Sequence, residues 1–207
     1  MKFTRNIKRI LSYYESDNPG VKANLARILM SGKLGGTGKL VILPVDQGFE
    51  HGPLRSFAYN PESFDPLYHF GIAQEAGLSG LAAPLGFLEV GAEGYAHKLP
   101  LILKLNSSNT LAKPISPTQA LTASVDDAVR LGCIGVGFTL YPGSNASFTL
   151  LEQLREIIKE ARAKGLITIV WSYPRGNMSI SDERSLDIIS YGVHMAALAG
   201  AHIIKCK

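Results

Sequence analysis

The stretch LITIVWSY, Leu166 to Tyr173, is mostly apolar and then closes on tryptophan, serine and tyrosine. A short apolar run with a polar ending reads as a strand buried on both faces of a sheet. The same form recurs at LVILPVD (Leu40 to Asp46), SGLAAPLG (Ser79 to Gly86), LPLILKLN (Leu99 to Asn106), CIGVGFTLY (Cys133 to Tyr141) and AHIIKCK (Ala201 to Lys207). Helical segments lie between them. PLYHFGIAQEAG stops at Gly77, and SVDDAVRLG has Ser124 placed as N-cap. SFTLLEQLREIIKEARAKG sets Leu150, Leu151, Leu154, Ile157, Ile158 and Ala161 on one face and stops at Gly165. SDERSLDIISYGVHMAALAG offers Asp182 as its N-cap. Apolar strands alternating with amphipathic helices imply right-handed βαβ units and a parallel sheet.

Such a sheet is either open and doubly wound or curled into a barrel, and the polar residues decide between them. Asp46, Lys104 with Asn106, Tyr141, Trp171 with Tyr173, and Lys205 with Lys207 all fall at C-terminal strand ends. A (β/α)8 barrel uses that whole rim for chemistry, whereas an open sheet draws its ligand crevice from a few neighbouring strands. Polar endings on this many strands favour the barrel. Strand parity puts Lys205 and Lys207 on one face, as it does Trp171 and Tyr173. Ammonium groups crowded into one mouth lower each other's pKa, and an amine must shed its proton before attacking a carbonyl. Asp46 is placed to accept a proton and Tyr173 to relay one.

Each of these residues also has a plainer reading. A lysine near a strand end snorkels to solvent, Trp171 and Tyr173 serve as core, Asp46 caps a turn, and His51 serves the hydrogen bonds of its own loop. His194 and His202 lie in packed segments without a role, and Cys206 reads as inert and buried.

The rest of the chain narrows the class. Its 207 residues are 46% hydrophobic and 18% charged, as in a globular enzyme. A net charge of +4, from 21 basic and 17 acidic residues without a dense basic stripe, suits small anions at least as well as a polynucleotide. Two cysteines make no disulfide framework and imply a reducing, cytoplasmic compartment. No apolar run approaches a membrane span of about 20 residues. Uncoordinated lysines, with no His/Asp/Glu cluster at metal spacing, point to imine rather than metal chemistry. GGTGK (Gly35 to Lys39) precedes a strand instead of joining a strand to a helix, so it is a connector and not a phosphate loop. Residues 1–39 read as an N-terminal helical extension, with Phe3, Ile7, Ile10, Leu11 and Tyr14 on the inner side of the first helix, and residues 40–207 as the catalytic domain.

PVDQGFEHGP (Pro44 to Pro53), LILKLNSSNTL (Leu101 to Leu111), VGFTLYPGS (Val136 to Ser144), VWSYPRG (Val170 to Gly176) and GAHIIKCK (Gly200 to Lys207) together resemble the archaeal-type class I fructose-1,6-bisphosphate aldolases, which also occur in bacteria. The resemblance implies a TIM (β/α)8-type barrel and a glycolytic and gluconeogenic lyase. Such an enzyme cleaves fructose 1,6-bisphosphate to dihydroxyacetone phosphate and glyceraldehyde 3-phosphate through a lysine imine, with no metal and no cofactor. Carried over, it makes Lys205 the Schiff-base lysine and Tyr173 the proton-transfer residue. Asp46 then lies near the substrate hydroxyls, with Trp171 beside them. Arg175 becomes a phosphate contact and His51 and Lys104 further pocket residues, while Lys207, placed beside Lys205 by strand parity, is expected as another substrate-binding residue.

Gln47 stands where many relatives carry histidine. A larger departure is that six strand segments are present where a closed barrel has eight. The phosphate-binding glycine loops of the last two units are absent, as is the acidic residue that follows the lysine in the family. The expectation is therefore an incomplete barrel, strands 1–6 only, completed by self-association into a homo-oligomer or by a second chain supplying strands 7 and 8. Two other functions stay open: an imine-forming transaldolase or thiolase-type enzyme acting on another phosphorylated keto compound, or an inactive barrel fragment serving as an assembly subunit.

Overall fold

The computed structural model describes residues 2–112 and 114–207. In chain order it has helices α1 (Arg5–Ser12) and α2 (Pro19–Leu29), strand β1 (Ile42–Pro44), helices α3 (Pro53–Phe57) and α4 (Pro66–Glu75), strand β2 (Gly80–Ala83) and helix α5 (Leu85–Tyr95). There follow β3 (Leu101–Lys104), β4 (Asn106–Ser107), β5 (Ala120–Leu121), α6 (Val125–Arg130), β6 (Gly135–Leu140), α7 (Ser147–Ala163), β7 (Ile167–Ser172), α8 (Leu186–Ala199) and β8 (Ile203–Lys205).

Six strands form one sheet in the order β1-β2-β3-β6-β7-β8, every neighbouring pair parallel. Spatial order follows sequence order, so each right-handed crossover moves the same way and leaves its helix on the same face. An open doubly wound sheet would reverse direction at a switch point. This sheet does not; it curls with the winding of a (β/α) barrel.

The two faces have separate cores. Leu81, Leu101, Leu103, Val136, Phe138 and Val170 point outward and pack with Phe70, Leu88, Leu150, Leu154 and Ile158 from the surrounding helices. On the inner face, Ala82, Ile102, Ile167 and Ile169 meet Ile7, Val21, Leu25 and Ile28 of α1 and α2. The first two helices thus stop the N-terminal end of the sheet, and its C-terminal end stays open. Contact at the N-terminal end is close enough that a Cβ on Gly20 would lie 2.9 Å from Cα of Gly165. Asn24 donates its side-chain amide to the Gly165 carbonyl at 2.9 Å.

Local chemistry sets most element ends. Ser124 and Asp127 make a reciprocal capping box on α6. Gly165 and Gly200 end α7 and α8 with φ of +75° and +103°, a backbone that a side chain would strain. Asp182, expected as the N-cap of α8, instead opens a 3-10 turn (Asp182–Arg184), and Ser185 caps the helix. Helix α5 was not foreseen. It starts after Pro84 without a side-chain cap and carries three glycines in LGFLEVGAEGY, so it lacks the usual start signal and the usual propensity. The short hairpin of β4 and β5 was also missed. Strand β1 is shorter than the Leu40–Asp46 run and only half-buried, because it sits at a sheet edge.

His202, given no role by sequence, ties the N-terminal helices to β8. Its Nδ1 accepts the Thr168 N–H at 2.9 Å, so the neutral ring carries its proton on Nε2, 3.3 Å from Asp17 Oδ1. Arg162 Nε lies 2.8 Å from the same Asp17 oxygen, and the Tyr14 hydroxyl donates to the His202 carbonyl at 2.6 Å. Burial lowers the pKa of His202, and it stays lowered although Asp17 pulls the other way. A folded-state pKa below the unfolded value of about 6.5 gives stability that is present above that pH and falls as the unfolded chain takes up its proton first. The unfolding midpoint should therefore drop on acidification below about pH 6.5, and His202→Asn should flatten that part of the profile. Parallel profiles for the two proteins would exclude this source.

Candidate active site

The open C-terminal end holds a cavity of about 250 Å³ lined by Asp46, His51, Trp171, Tyr173, Arg175 and Lys205, together with Glu50 and Thr139. The inner face of the sheet supplies the floor. Register places Thr139 of β6 beside Trp171 of β7, and Trp171 beside Lys205 of β8. The Lys205 ammonium stands 5.7 Å from the Tyr173 ring centroid. The Arg175 guanidinium lies over the rings of both Tyr173 (5.1 Å) and Tyr141 (5.8 Å). An isolated bridge between Gly143 and Gly176 carries the β6–β7 pairing past the strand ends and holds the two loops behind that guanidinium.

Lys104 sits deeper, 2% exposed at the end of β3. Its Nζ is 3.1 Å from Glu50 Oε1 and 3.7 Å from Asp46 Oδ1, and it lies 5.8 Å from the centroid of the Trp171 ring. Gln119 Nε2 donates to Glu50 Oε1 at 2.9 Å and to the Tyr141 hydroxyl at 2.8 Å. The two carboxyls diverge as a result. Burial pushes Glu50 up, but the Lys104 charge and hydrogen bonds from Gln119, Lys104 and the Ser108 backbone prevail and hold it below the ordinary carboxylate range. Asp46 is raised, because its burial outweighs the attraction of the more distant Lys104 and the charge of Glu50 adds to the effect. One carboxylate is a fixed counter-ion, and the other is tuned toward holding a proton.

The structure therefore brings together Asp46, His51, Trp171, Tyr173, Arg175 and Lys205, with Lys104 beneath them. It does not bring in Lys207, which follows the last residue of β8 and faces Glu183 at 3.7 Å. Nor is Lys205 desolvated as its apolar strand suggested. On the edge strand β8 it is exposed, and so is Cys206. Asn106 spends its side chain on the backbone of Thr139, donating at 2.9 Å and accepting at 2.7 Å, and so extends the β3–β6 seam. Glu50 and Gln119 are not singled out by the sequence, whereas Tyr141 is placed on the rim by its strand end but given no role. The first two lie in loops, and only the Lys104 charge, which needs a buried partner, signals that such a group must exist.

Among the described residues, no group of three or more His, Cys, Asp or Glu side chains is placed to hold a metal ion. A wider, mostly apolar groove of about 660 Å³ runs along α8 past Tyr191, Met195 and Leu198. It lies away from this convergence of charge.

Fold and site define an α/β protein whose six parallel strands curl into a half-barrel, with a lysine on the open rim of its last described strand. The profile of the DeoC/LacD family aldolases matches residues 40–207, and the chain belongs to that family. It is 40% identical over 200 residues to a probable class 1 fructose-bisphosphate aldolase of Chlamydia trachomatis, covering 94% of this chain and 58% of the relative. It is 39% identical over 170 residues to the class 1 fructose-bisphosphate aldolase of Thermoproteus tenax, covering 82% of this chain and 62% of that one. An archaeal fructose-1,6-bisphosphate aldolase, solved with its catalytic lysine covalently bound to the carbinolamine intermediate of the substrate, superposes with a TM-score of 0.77 at 36% identity. That match covers 87% of this chain and 68% of the archaeal one. The chain spans about three-fifths of the length of the curated relatives it matches.

Proposed function

We propose that this protein is a metal-independent class I aldolase that cleaves fructose 1,6-bisphosphate reversibly, with Lys205 as the imine-forming residue. The observation that carries the reading is the placement of Lys205. It is a rim lysine whose strand neighbour is Trp171, with Tyr173 beside its amine and a raised carboxyl, Asp46, on the same cavity. The similarity to an archaeal aldolase trapped on its lysine supports the chemistry.

In this reading the Lys205 amine adds to the C2 carbonyl, and the carbinolamine takes up a proton relayed by Tyr173 and loses water to give a protonated imine. The imine draws electrons as the C4 hydroxyl gives up its proton and the C3–C4 bond breaks. Glyceraldehyde 3-phosphate leaves, and an enamine remains on Lys205. A proton returned to C3 and addition of water then release dihydroxyacetone phosphate and restore the amine. Tyr173 moves protons at the imine and at C3. Asp46 sits at the substrate hydroxyls, its raised pKa suited to exchanging a proton there. Arg175, braced by two tyrosines, presents a fixed cation to a phosphate. His51 on the exposed rim is a further polar contact, and Lys104 serves by setting Asp46 and Glu50 apart. The reaction would serve glycolysis and gluconeogenesis in the cytoplasm.

The test is to incubate the protein with dihydroxyacetone phosphate, reduce with borohydride and map the adduct by mass spectrometry. A single adduct on Lys205 is expected. A folded protein that takes no adduct would instead favour a non-catalytic role.

The same reading includes a homo-oligomer or a complementing chain. Leu186, Tyr191 and Leu198 on α8 are exposed beside the edge strand β8, a surface that association would cover. Light scattering should return more than one chain per particle, and a stable monomer would count against association of copies.

A further inference from the structure

We infer that Gly137 is the positioning residue for Trp171, and that its missing side chain sets the depth of the catalytic cavity. Glycine in the middle of a strand weakens it, so one that stands there marks a place where something must come close. Gly137 lies mid-strand in β6, with Lys104 of β3 on one side and Ile169 of β7 on the other. Its φ is not among the positive ones, so no unusual backbone demands glycine here. The demand is for space. A Cβ added to Gly137 would fall far inside van der Waals contact with Cζ3 and Cη2 of the Trp171 ring, and 3.4 Å from Cε3.

Trp171 is the only tryptophan of the chain and is 6% exposed. Its ring starts on β7, crosses the bare backbone of β6 at Gly137 and brings its centroid within 5.8 Å of the Lys104 ammonium on β3. It thereby forms the floor between the buried cation and the rim lysine. Lys205 is its register partner on the other side. Behind the ring lie Ile102, Ile169 and the N-terminal helices, which are packed. A methyl group under the ring can therefore be relieved only by lifting the indole into the cavity. That cavity holds about 250 Å³, so a lifted ring takes space directly beside the Lys205 amine.

Gly135, two residues earlier, provides the comparison. A Cβ there would strike Ile167 first, including its backbone oxygen at 2.6 Å, and its three nearest neighbours are all atoms of Ile167 rather than of Trp171. The two glycines are spared side chains for different reasons, and only Gly137 bears on the site.

The activity arm of the test rests on Lys205 forming the imine; the other arms do not. Compare the wild-type protein, Gly137→Ala, Trp171→Phe and the double variant, with Gly135→Ala alone and combined with Trp171→Phe as controls. Read Trp171 emission and its quenching by acrylamide, the unfolding midpoint, and the rate of borohydride-trapped adduct formation with dihydroxyacetone phosphate. In Gly137→Ala the indole should become more accessible to quencher, and adduct formation should slow by about 100-fold, as misplacement by an ångström can cause. Phenylalanine lacks the benzo edge that clashes, so the double variant should recover the midpoint and adduct rate of Trp171→Phe alone. Gly135→Ala should gain nothing from Trp171→Phe.

Unchanged quenching and adduct formation in Gly137→Ala would overturn the inference. So would a double variant no better than Gly137→Ala. Should Gly137→Ala fail to fold, a folded double variant would support the assignment and an unfolded one would sink it. If the wild-type protein forms no adduct, the aldolase reading fails, while quenching and the unfolding midpoints still decide the role of Gly137.

Discussion

Lys205→Met should abolish adduct formation with dihydroxyacetone phosphate and cleavage of fructose 1,6-bisphosphate, while circular dichroism and the unfolding midpoint stay at wild-type values. Methionine keeps the length and apolar stem of the side chain and removes only the amine. Lys205 is exposed on an edge strand and makes no ion pair among the described residues, so its loss leaves no buried charge behind. Surface changes of this kind shift stability by no more than about 0.5 kcal/mol. On the proposed mechanism the loss should be total, because the other lysine of the site, Lys104, is buried and held by Glu50 and Asp46. Its Nζ is buried and engaged by both carboxylates, out of reach of a substrate carbonyl. Peptide mapping that found the adduct on Lys104, or residual cleavage by Lys205→Met, would refute the assignment of the nucleophile.

Lys104→Met should act in the opposite sense, on the fold first. Removing one partner of a buried ion pair costs about 3–5 kcal/mol. Here the side chains of Glu50 and Asp46 keep 16% and 25% of their exposure, and Gln119 still holds Glu50. The loss at neutral pH should therefore lie at or just below the lower limit of that range, at about 2–3 kcal/mol. The sign of its pH dependence follows from Glu50. In the wild-type protein its folded pKa is depressed, so its stabilisation is present above the unfolded pKa of about 4.3 and is lost as pH falls through the folded value. Without Lys104 the largest lowering influence is gone and burial prevails, so the folded pKa rises. Acidification then neutralises a carboxyl that had lost its counter-ion, and the deficit against wild type should shrink between pH 7 and about pH 4.5. Glu50→Gln in the same chain should recover part of the loss at neutral pH. Denaturant midpoints at the two pH values check both points, and a deficit equal at each would show that Lys104 contributes packing rather than charge.

Much of this site was legible in the sequence because strands alternate. Once LITIVWSY and its counterparts are read as strands, Trp171 with Tyr173 and Lys205 with Asp46 fall on the C-terminal rim without any knowledge of contacts. Lys207 shows where parity fails. The strand ends at Lys205, and beyond it the chain no longer alternates, so Lys207 turns to Glu183. Exposure could not be read either. An apolar strand is expected to be buried, but burial depends on which strands flank it, and β8 is an edge.

The sequence by itself determined the alternating strand and helix plan, the parallel sheet, and the chemical type of the rim residues. Those are properties of local periodicity and of residue chemistry. The tertiary structure alone decided that Glu50 and Gln119, drawn from loops far along the chain, close around Lys104. It also decided that Asp46 and Glu50 part in pKa, and that Gly137 makes room for Trp171. Each of these rests on burial or on partners distant in sequence, such as Lys104 for Asp46 and Glu50, which local sequence patterns do not encode.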